Sequence, residues 1–189
     1  MELRELILKN RSYRRFYQED SISKEQLLAW IDLARLSASG MNLQPLKYKL
    51  VNTTDKCSLV FEHLSWAGYL KDWDGPEDGE KPSAYIIIVG DTTIRPVFGV
   101  DPGIAAQSIL LGAVEAGFGG CIIGSVQKEK LAQALKIPSR FQILFVLALG
   151  KPKEVVKLEE LTDDSIKYYR DENMVHHVPK RSLKDILLK

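Results

Sequence analysis

Gly117-Phe-Gly-Gly-Cys-Ile-Ile-Gly-Ser125 is the stretch whose reading decides the fold. A dinucleotide-binding fingerprint has to follow a strand and open a helix. Here the glycines follow a long run with apolar residues at Ile104, Ala105, Ile109, Leu110 and Val114, and they lead into Cys121-Ile122-Ile123. The order is helix, turn, strand, and no G-K-[ST] follows to make a phosphate loop. The glycines then have two readings. They form a tight helix-to-strand connection in the core, or they leave the backbone bare so that something flat can approach amides near Ile122, Ile123 and Gly124.

Working outward, Asp101-Pro102 predicts the start of the preceding helix, with Asp as cap and Pro in the first turn. Ala84 to Val89, with three consecutive isoleucines, reads as a central strand buried on both faces. Downstream, Gln127 to Leu135 reads as a helix and Phe141 to Leu149 as a second core strand ending at Gly150-Lys-Pro152. Nearer the N-terminus, Leu3, Leu6 and Ile7 predict a short helix ending near Asn10. Ser23 with Gln26 forms a capping box for a helix reaching about Ser37. Tyr48 to Val51 predicts a strand and Lys56 to Gly68 a helix. The acidic run Lys71 to Pro82 reads as a surface loop or lid. Beyond Pro152 the chain is polar and charged, without a recognisable core element. Helices and strands alternate around a small sheet, so the class is mixed α/β or α+β. One domain over residues 1–189 is expected, because a chain of this length buries about 70% of its extended surface in one core.

Composition narrows the function. Lys plus Arg total 26 against 25 Asp plus Glu, so no overall basic field favours nucleic acid. The segment Ile104 to Ile123 approaches membrane-spanning length, but Gln107, Ser108, Glu115 and the glycines interrupt it. MELRELILKN lacks the apolar core and cleavage site of a signal peptide. Cys57 and Cys121 form no C-x-x-C pair, which argues against a zinc site and suits a reducing cytoplasm. His176 and His177 have no ligand-spaced partners and read as surface histidines, and His63 as a structural residue within a helix. No serine or histidine stands in a hydrolase context.

Arg11-Ser-Tyr-Arg14-Arg-Phe16 sets three guanidinium groups round a hydroxyl and two rings. It reads either as a solvated basic turn or as an anion site, since arginine's planar fork accepts phosphate oxygens two at a time.

RSYRRF, the S-x-x-N-x-Q-P pattern of Ser39, Asn42, Gln44 and Pro45, the glycine-rich GFGGCIIGS after a buried helix, and Lys180-Arg181 near the C-terminus occur in one order. In that order the chain resembles the FMN-dependent nitroreductase family, and specifically its compact bacterial and archaeal members. The resemblance implies a nitroreductase-like fold: a central mixed, mainly antiparallel sheet flanked by helices, in an intertwined homodimer with FMN at the interface. It implies an FMN-dependent NAD(P)H oxidoreductase, with ping-pong hydride transfer from NAD(P)H through flavin N5 to a small organic acceptor such as a nitroaromatic, quinone or enone. Alternatives within it are dehalogenation or flavin chemistry, or a flavin-binding regulatory protein without efficient turnover.

Carried onto this sequence, the resemblance places Arg11, Ser12 and Arg14 at the ribityl phosphate and the pyrimidine side of the flavin, with Arg14 tuning N1 and O2. Arg181 with Lys180 closes on the phosphate. Ser39, Asn42 and Gln44 belong to the loop given by the other subunit, and Ile122, Ile123 and Gly124 run beside N5 and O4. No catalytic side chain and no metal are implied. Leu46 replaces an aromatic common in the family, and Asp91 to Val100 is too short for the helical excursion of longer members.

Overall fold

The computed structural model describes residues 1–162 and 165–188. Helix α1 (Leu3–Lys9) is followed by a two-residue strand β1 (Phe16–Tyr17), α2 (Lys24–Leu36), β2 (Leu46–Val51), α3 (Thr54–Phe61) and β3 (Ala84–Asp91). Then come α4 (Asp101–Glu115), β4 (Gly119–Ile123), α5 (Lys128–Ala134), β5 (Phe141–Pro152), β6 (Val156–Glu160), β7 (Tyr169–Arg170) and β8 (His176–Lys180).

Strand β3 shows why the layers form. All eight of its residues are buried, and side chains alternate faces along a strand. Ala84, Ile86 and Ile88 join Leu27, Trp30, Ala34, Ala105, Ala106, Ile109 and Leu110 from α2 and α4. Tyr85, Ile87 and Val89 join Val60, Leu131 and Leu135 on the opposite face, from α3, α5 and the end of α5. The sheet is thus sandwiched between two helical layers, and the isoleucine run supplies both cores at once.

The main sheet has the order β1-β5-β3-β2, with β4 also paired to β5, and every strand pair in it is antiparallel. Parallel pairing enters through the single bridge between Ser12 and Gly120 and through β6 with β8. The expected mixed, mainly antiparallel sheet flanked by helices is therefore present.

Local chemistry follows the sequence in most places. Ser23 Oγ accepts from the Gln26 N–H (3.2 Å) while Gln26 Oε1 accepts from the Ser23 N–H (2.9 Å), closing the capping box of α2. Three expectations are corrected. The helix expected over Lys56 to Gly68 stops at Phe61, because the chain turns there to bridge Leu64 to Val126 and to bond the Ser65 N–H to the Ser125 carbonyl. Accordingly, His63 lies just past α3, its Nδ1 2.8 Å from the Leu59 carbonyl. Asp101 does not cap its own helix: it is the first residue of α4, and its buried carboxylate accepts instead from the loop after α2. The polar chain beyond Pro152 folds into a second, three-stranded sheet in the order β6-β8-β7.

The acidic run is a tethered loop rather than a free flap. Glu80 accepts two bonds from Arg15 (2.5 and 2.7 Å) and faces Lys153 at 3.0 Å.

Candidate functional site

The turn after α1 builds one wall of a cleft. Arg11 donates to the Ile7 carbonyl at 2.6 Å, placing a cation at the carbonyl end of α1. Tyr13 donates through its hydroxyl to the Lys9 carbonyl (2.7 Å) and through its N–H to the Gly120 carbonyl (3.1 Å). The RSYRRF segment is therefore pinned against β4. The glycines of β4 make this approach possible. A Cβ on Gly120 would lie 2.4 Å from the Ala148 carbonyl oxygen, and Gly117 turns out of α4 at φ +83°. Both serve the tight connection in the core. Gly124 differs, because a Cβ there would meet nothing nearer than 3.9 Å.

The opposite wall is the second sheet. On β8, His176, Val178 and Lys180 alternate onto one face and line the same cleft as Arg11, Ser12, Arg14, Gln107, Gly120 and Ile122. The cleft has a volume of about 330 Å³, within the range of small-molecule sites. Among the described residues three cations line it and no carboxylate does. Arg11 Nε is buried with no partner among the described residues, and burial pulls the Arg11 pKa down from its ordinary value. A half-buried guanidinium with one buried donor unmet favours an anionic ligand.

Beside the cleft, a smaller cavity of about 120 Å³ is bounded by Ile122, Ile123, Gly124, Trp66, Gly68 and Tyr168. Arg14, Ile122 and Tyr168 line both spaces. The Arg14 guanidinium lies 4.9 Å from the Tyr168 ring centroid, and Tyr168 stacks on His176 at 5.2 Å. Strand β4 pairs with β5 on one side, while among the described residues its other edge is engaged at Gly120 and, just past the strand, at Ser125. The backbone edge between them borders both cavities.

Glu154 organises this region, and the sequence reading did not single it out. Its carboxylate accepts from the Arg14 N–H (2.9 Å) and from Arg170 Nε (3.0 Å) and NH2 (2.6 Å), with His176 Nδ1 at 3.4 Å. Burial acts to raise the Glu154 pKa, but His176, the Arg14 N–H and Arg170 outweigh it and the net shift is downward. Arg170 in turn stacks on Trp73 of the acidic run, 4.1 Å from the ring centroid.

The two C-terminal histidines are buried, not on the surface as expected from sequence. His177 points to the other face of β8, with Nδ1 2.5 Å from Glu159 and Nε2 3.1 Å from Asp171. Their acidic partners lie 6 to 22 residues away, just before β6, on it and just after β7, so no local spacing announces them. Tyr168, Gln107 and Asn10 were missed for the same reason. Asn10 donates to Gln107 across 97 positions, at 3.3 Å.

Not every predicted residue joins the cleft. Lys180 lines it, whereas Arg181 follows β8 and is exposed outside the lining. Ser39 and Gln44 border a different cavity at the start of α4. There Ser39 donates to Asp101 (2.6 Å), the Gly40 N–H donates to Asp101 (2.9 Å), and the Gln44 N–H donates to Ser39 Oγ (2.9 Å). Met41, Asn42 and Gln44 all have φ between 50° and 55°, a cluster of left-handed non-glycine residues of the kind that gathers at functional loops. This loop adjoins β2, on the far side of the main sheet from β4.

No helix is long and apolar enough to cross a membrane, and no group of three or more metal-ligating side chains occurs, both among the described residues.

Comparison with known proteins places this geometry. No curated protein matches the chain. Among solved structures, a nitroreductase family protein from Clostridium novyi NT is 28% identical, with TM-score 0.65, over 81% of this chain and 88% of that one. An NADPH:FMN oxidoreductase from Vibrio harveyi, complexed with NAD+, is 26% identical, with TM-score 0.62, over 79% of this chain and 68% of its own. A nitroreductase family protein from Streptococcus pneumoniae TIGR4 is 16% identical and superposes over 100% of both chains with TM-score 0.71, a likeness of fold. The family model described as "Nitroreductase family" matches residues 7–72 and 77–151. This chain belongs to the nitroreductase family.

Proposed function

We propose that the protein is an FMN-dependent oxidoreductase and that the cleft between β4 and β8 holds the cofactor. The observation that carries this is the union, among the described residues, of a cationic pole without a lining carboxylate and an open strand edge. Arg11 and Lys180 offer donors to a phosphate dianion and Arg14 adds a third cation, with no lining carboxylate among the described residues. The edge from Ile122 to Gly124 offers backbone groups to a flat polar ring. The related Vibrio harveyi enzyme uses FMN, and family membership supports the same assignment here.

Bound FMN would supply two-electron, hydride-level chemistry between NAD(P)H and a small organic acceptor such as a nitroaromatic, quinone or enone. The chain's own part is to bind and to orient. Arg11, Ser12 and Lys180, with Arg181 beyond the strand, hold the phosphate. Arg14, fixed through its N–H by Glu154, presents a cation on the pyrimidine side, where negative charge would be stabilised. Ile122, Ile123 and Gly124 set the ring's height against the sheet, and Tyr168 and Trp66 bound the space in which an acceptor can lie.

The site extends to a second copy in this reading. Ser39, Asn42 and Gln44 stand apart from the cleft of their own chain and complete the cleft of a partner in a homodimer. Exposed Leu3, Ile7 and Leu8 on α1, Leu36 on α2, and Leu183, Ile186 and Leu187 near the C-terminus supply apolar surface for that assembly. Two free cysteines suit a reducing compartment such as the cytoplasm.

The test is optical. Purified protein, or protein reconstituted with FMN, is expected to show flavin absorbance that bleaches anaerobically with NADH or NADPH and recovers on adding an acceptor. Protein that stays colourless after incubation with FMN would overturn the proposal. Retained flavin that neither nucleotide bleaches would leave a flavin-binding protein without this turnover.

A further inference from the structure

We propose that the cavity between α3 and the segment entering β3 is a second ligand site, built for a small neutral one-ring compound with a carbonyl oxygen. It encloses about 240 Å³ and shares no lining residue with the cleft between β4 and β8. In the main sheet Tyr85 pairs with Ala148, which pairs with Cys121 of β4, so its backbone stands two strands, about 10 Å, from that cleft's edge strand.

Ser83 immediately precedes β3 and Tyr85 is the second residue of that strand, and both line the cavity beside α3. The hydroxyls of both are buried, and neither has a hydrogen-bond partner among the described residues. Tyr85 is fully buried, yet it lines the cavity together with Ser83, Cys57 and Phe61. A buried hydroxyl without a partner is costly, and two on residues lining one cavity point to a ligand, since buried polar groups are almost always satisfied. An acceptor oxygen entering between them would take a hydrogen bond from each.

The remaining walls select for neutrality and for a ring. Burial raises the Tyr85 pKa well above the ordinary phenol range and pushes the Cys57 thiol up to about 11, so both remain protonated. The cation at the rim, Lys81, is already paired with Asp78 at 2.5 Å, and its ammonium lies 4.8 Å from the Phe61 ring centroid. Glu19 also borders the cavity. Glu19 is exposed to solvent at the rim and Lys81 is paired, so neither charge sits inside to hold an ion, while Phe61 provides an aromatic wall. An apolar cavity of about 150 Å³ accommodates benzene, so this larger one has room for a ring with one polar substituent.

Acetophenone is the probe, and Cys57 is the reporter. Alkylation of Cys57 by N-ethylmaleimide is followed by peptide mass spectrometry, with buried Cys121 as the internal control. Saturating acetophenone is expected to slow Cys57 alkylation at least fivefold in the natural protein. The paired substitution Tyr85→Phe with Ser83→Ala removes both donors and is expected to raise the half-protecting concentration at least tenfold. Tyr85→Phe alone serves the same comparison if the pair does not fold. Absence of protection in the natural protein would overturn the site, leaving the hydroxyls to water. Equal protection by toluene, or of the variants, would overturn the recognition of a carbonyl oxygen.

Discussion

Replacing Glu154 tests whether the cleft and the second sheet are one structure. Its side chain is fully buried and that of Arg170 is 7% exposed, so this is a buried ion pair, with one further bond to the Arg14 N–H. Glu154→Ala would strand the Arg170 guanidinium against Trp73 and leave the Arg14 N–H unmet. Removing one partner of a buried pair costs about 3–5 kcal/mol. At this chain length each kcal/mol lowers the thermal midpoint by about 2–4 °C, so a fall of roughly 6–20 °C is expected. Glu154→Gln keeps the volume and one acceptor while losing the charge, and it should fall between the natural protein and Glu154→Ala. The loss should also be local. Amide hydrogen exchange is expected to quicken first in β6, β7 and β8, whose link to the main body runs through this carboxylate. The assays are urea unfolding and exchange mass spectrometry. A midpoint for Glu154→Ala equivalent to less than 1 kcal/mol, or exchange that rises uniformly across both sheets, would refute the reasoning. A double cycle with Arg170→Met isolates the pair, because the coupling energy counts only what the two groups share.

Lys180→Met preserves length but removes a cation from the cleft, so the FMN Kd of the apoprotein, read by fluorescence quenching, should rise about 10- to 150-fold from the loss of one charge-assisted contact of about 1.5–3 kcal/mol. Gly120→Ala forces a Cβ toward the Ala148 carbonyl and should cost about 1–3 kcal/mol in urea unfolding, whereas Gly124→Ala, whose Cβ has room, should stay within about 0.5 kcal/mol. Hydrogen bonds from Arg15 lower the Glu80 pKa to about 2, with support from Lys153. The stability gap between natural protein and Glu80→Gln should therefore hold above about pH 4.5 and close as pH falls toward 2; a gap unchanged across that interval would contradict the ion pair. For His177 the sign is opposite. Asp171 and then Glu159 raise its pKa above 6.5, so its contribution is full below pH 6.5 and disappears as pH rises through the raised value. Since the same bonds lower the pKa of both carboxylates, the contribution also fades in acid, and the gap to His177→Gln should be widest near pH 5 to 6.

The three-layer core was readable because it rests on local, periodic signals. The isoleucines of β3, the capping box of α2 and the helix-turn-strand order around Gly117 each carry their meaning within a few residues. RSYRRF was readable as a charge cluster, although the residues alone left a solvated turn and an anion site equally open. Gly120 decides part of that question, since its carbonyl takes the Tyr13 N–H and so presses the cluster onto β4. What stayed hidden was the second sheet. Strands of two to five residues with charged side chains leave no hydrophobic alternation to detect, and their stability comes from pairs such as His177 with Asp171 and Glu154 with Arg170. A polar tail and a polar-cored sheet look alike until the partners are brought together. The same blindness explains Asp101: helix-start chemistry suggested a cap, while its carboxylate was needed 61 residues away by Gly40.

The placement of Glu154 also gives the cleft an energetic logic. The cationic wall is divided between Arg11 and Arg14, pinned to the main sheet, and Lys180 on a strand whose own packing is largely ionic. Bringing three cations together costs Coulomb energy, which a bound anion would recover. An anionic ligand spanning the two walls should then stabilise the second sheet more than the first, because only the second depends on the closure of the cleft. Linkage makes this reciprocal: in the proposed reading, a change that leaves β8 open in an appreciable fraction of molecules, whether loss of Glu154 or deprotonation of His177, would weaken the ligand by the free energy of that opening. Glu154 would then act on ligand affinity without lining the cleft, through its hold on Arg14 of one wall and on Arg170 beside the other.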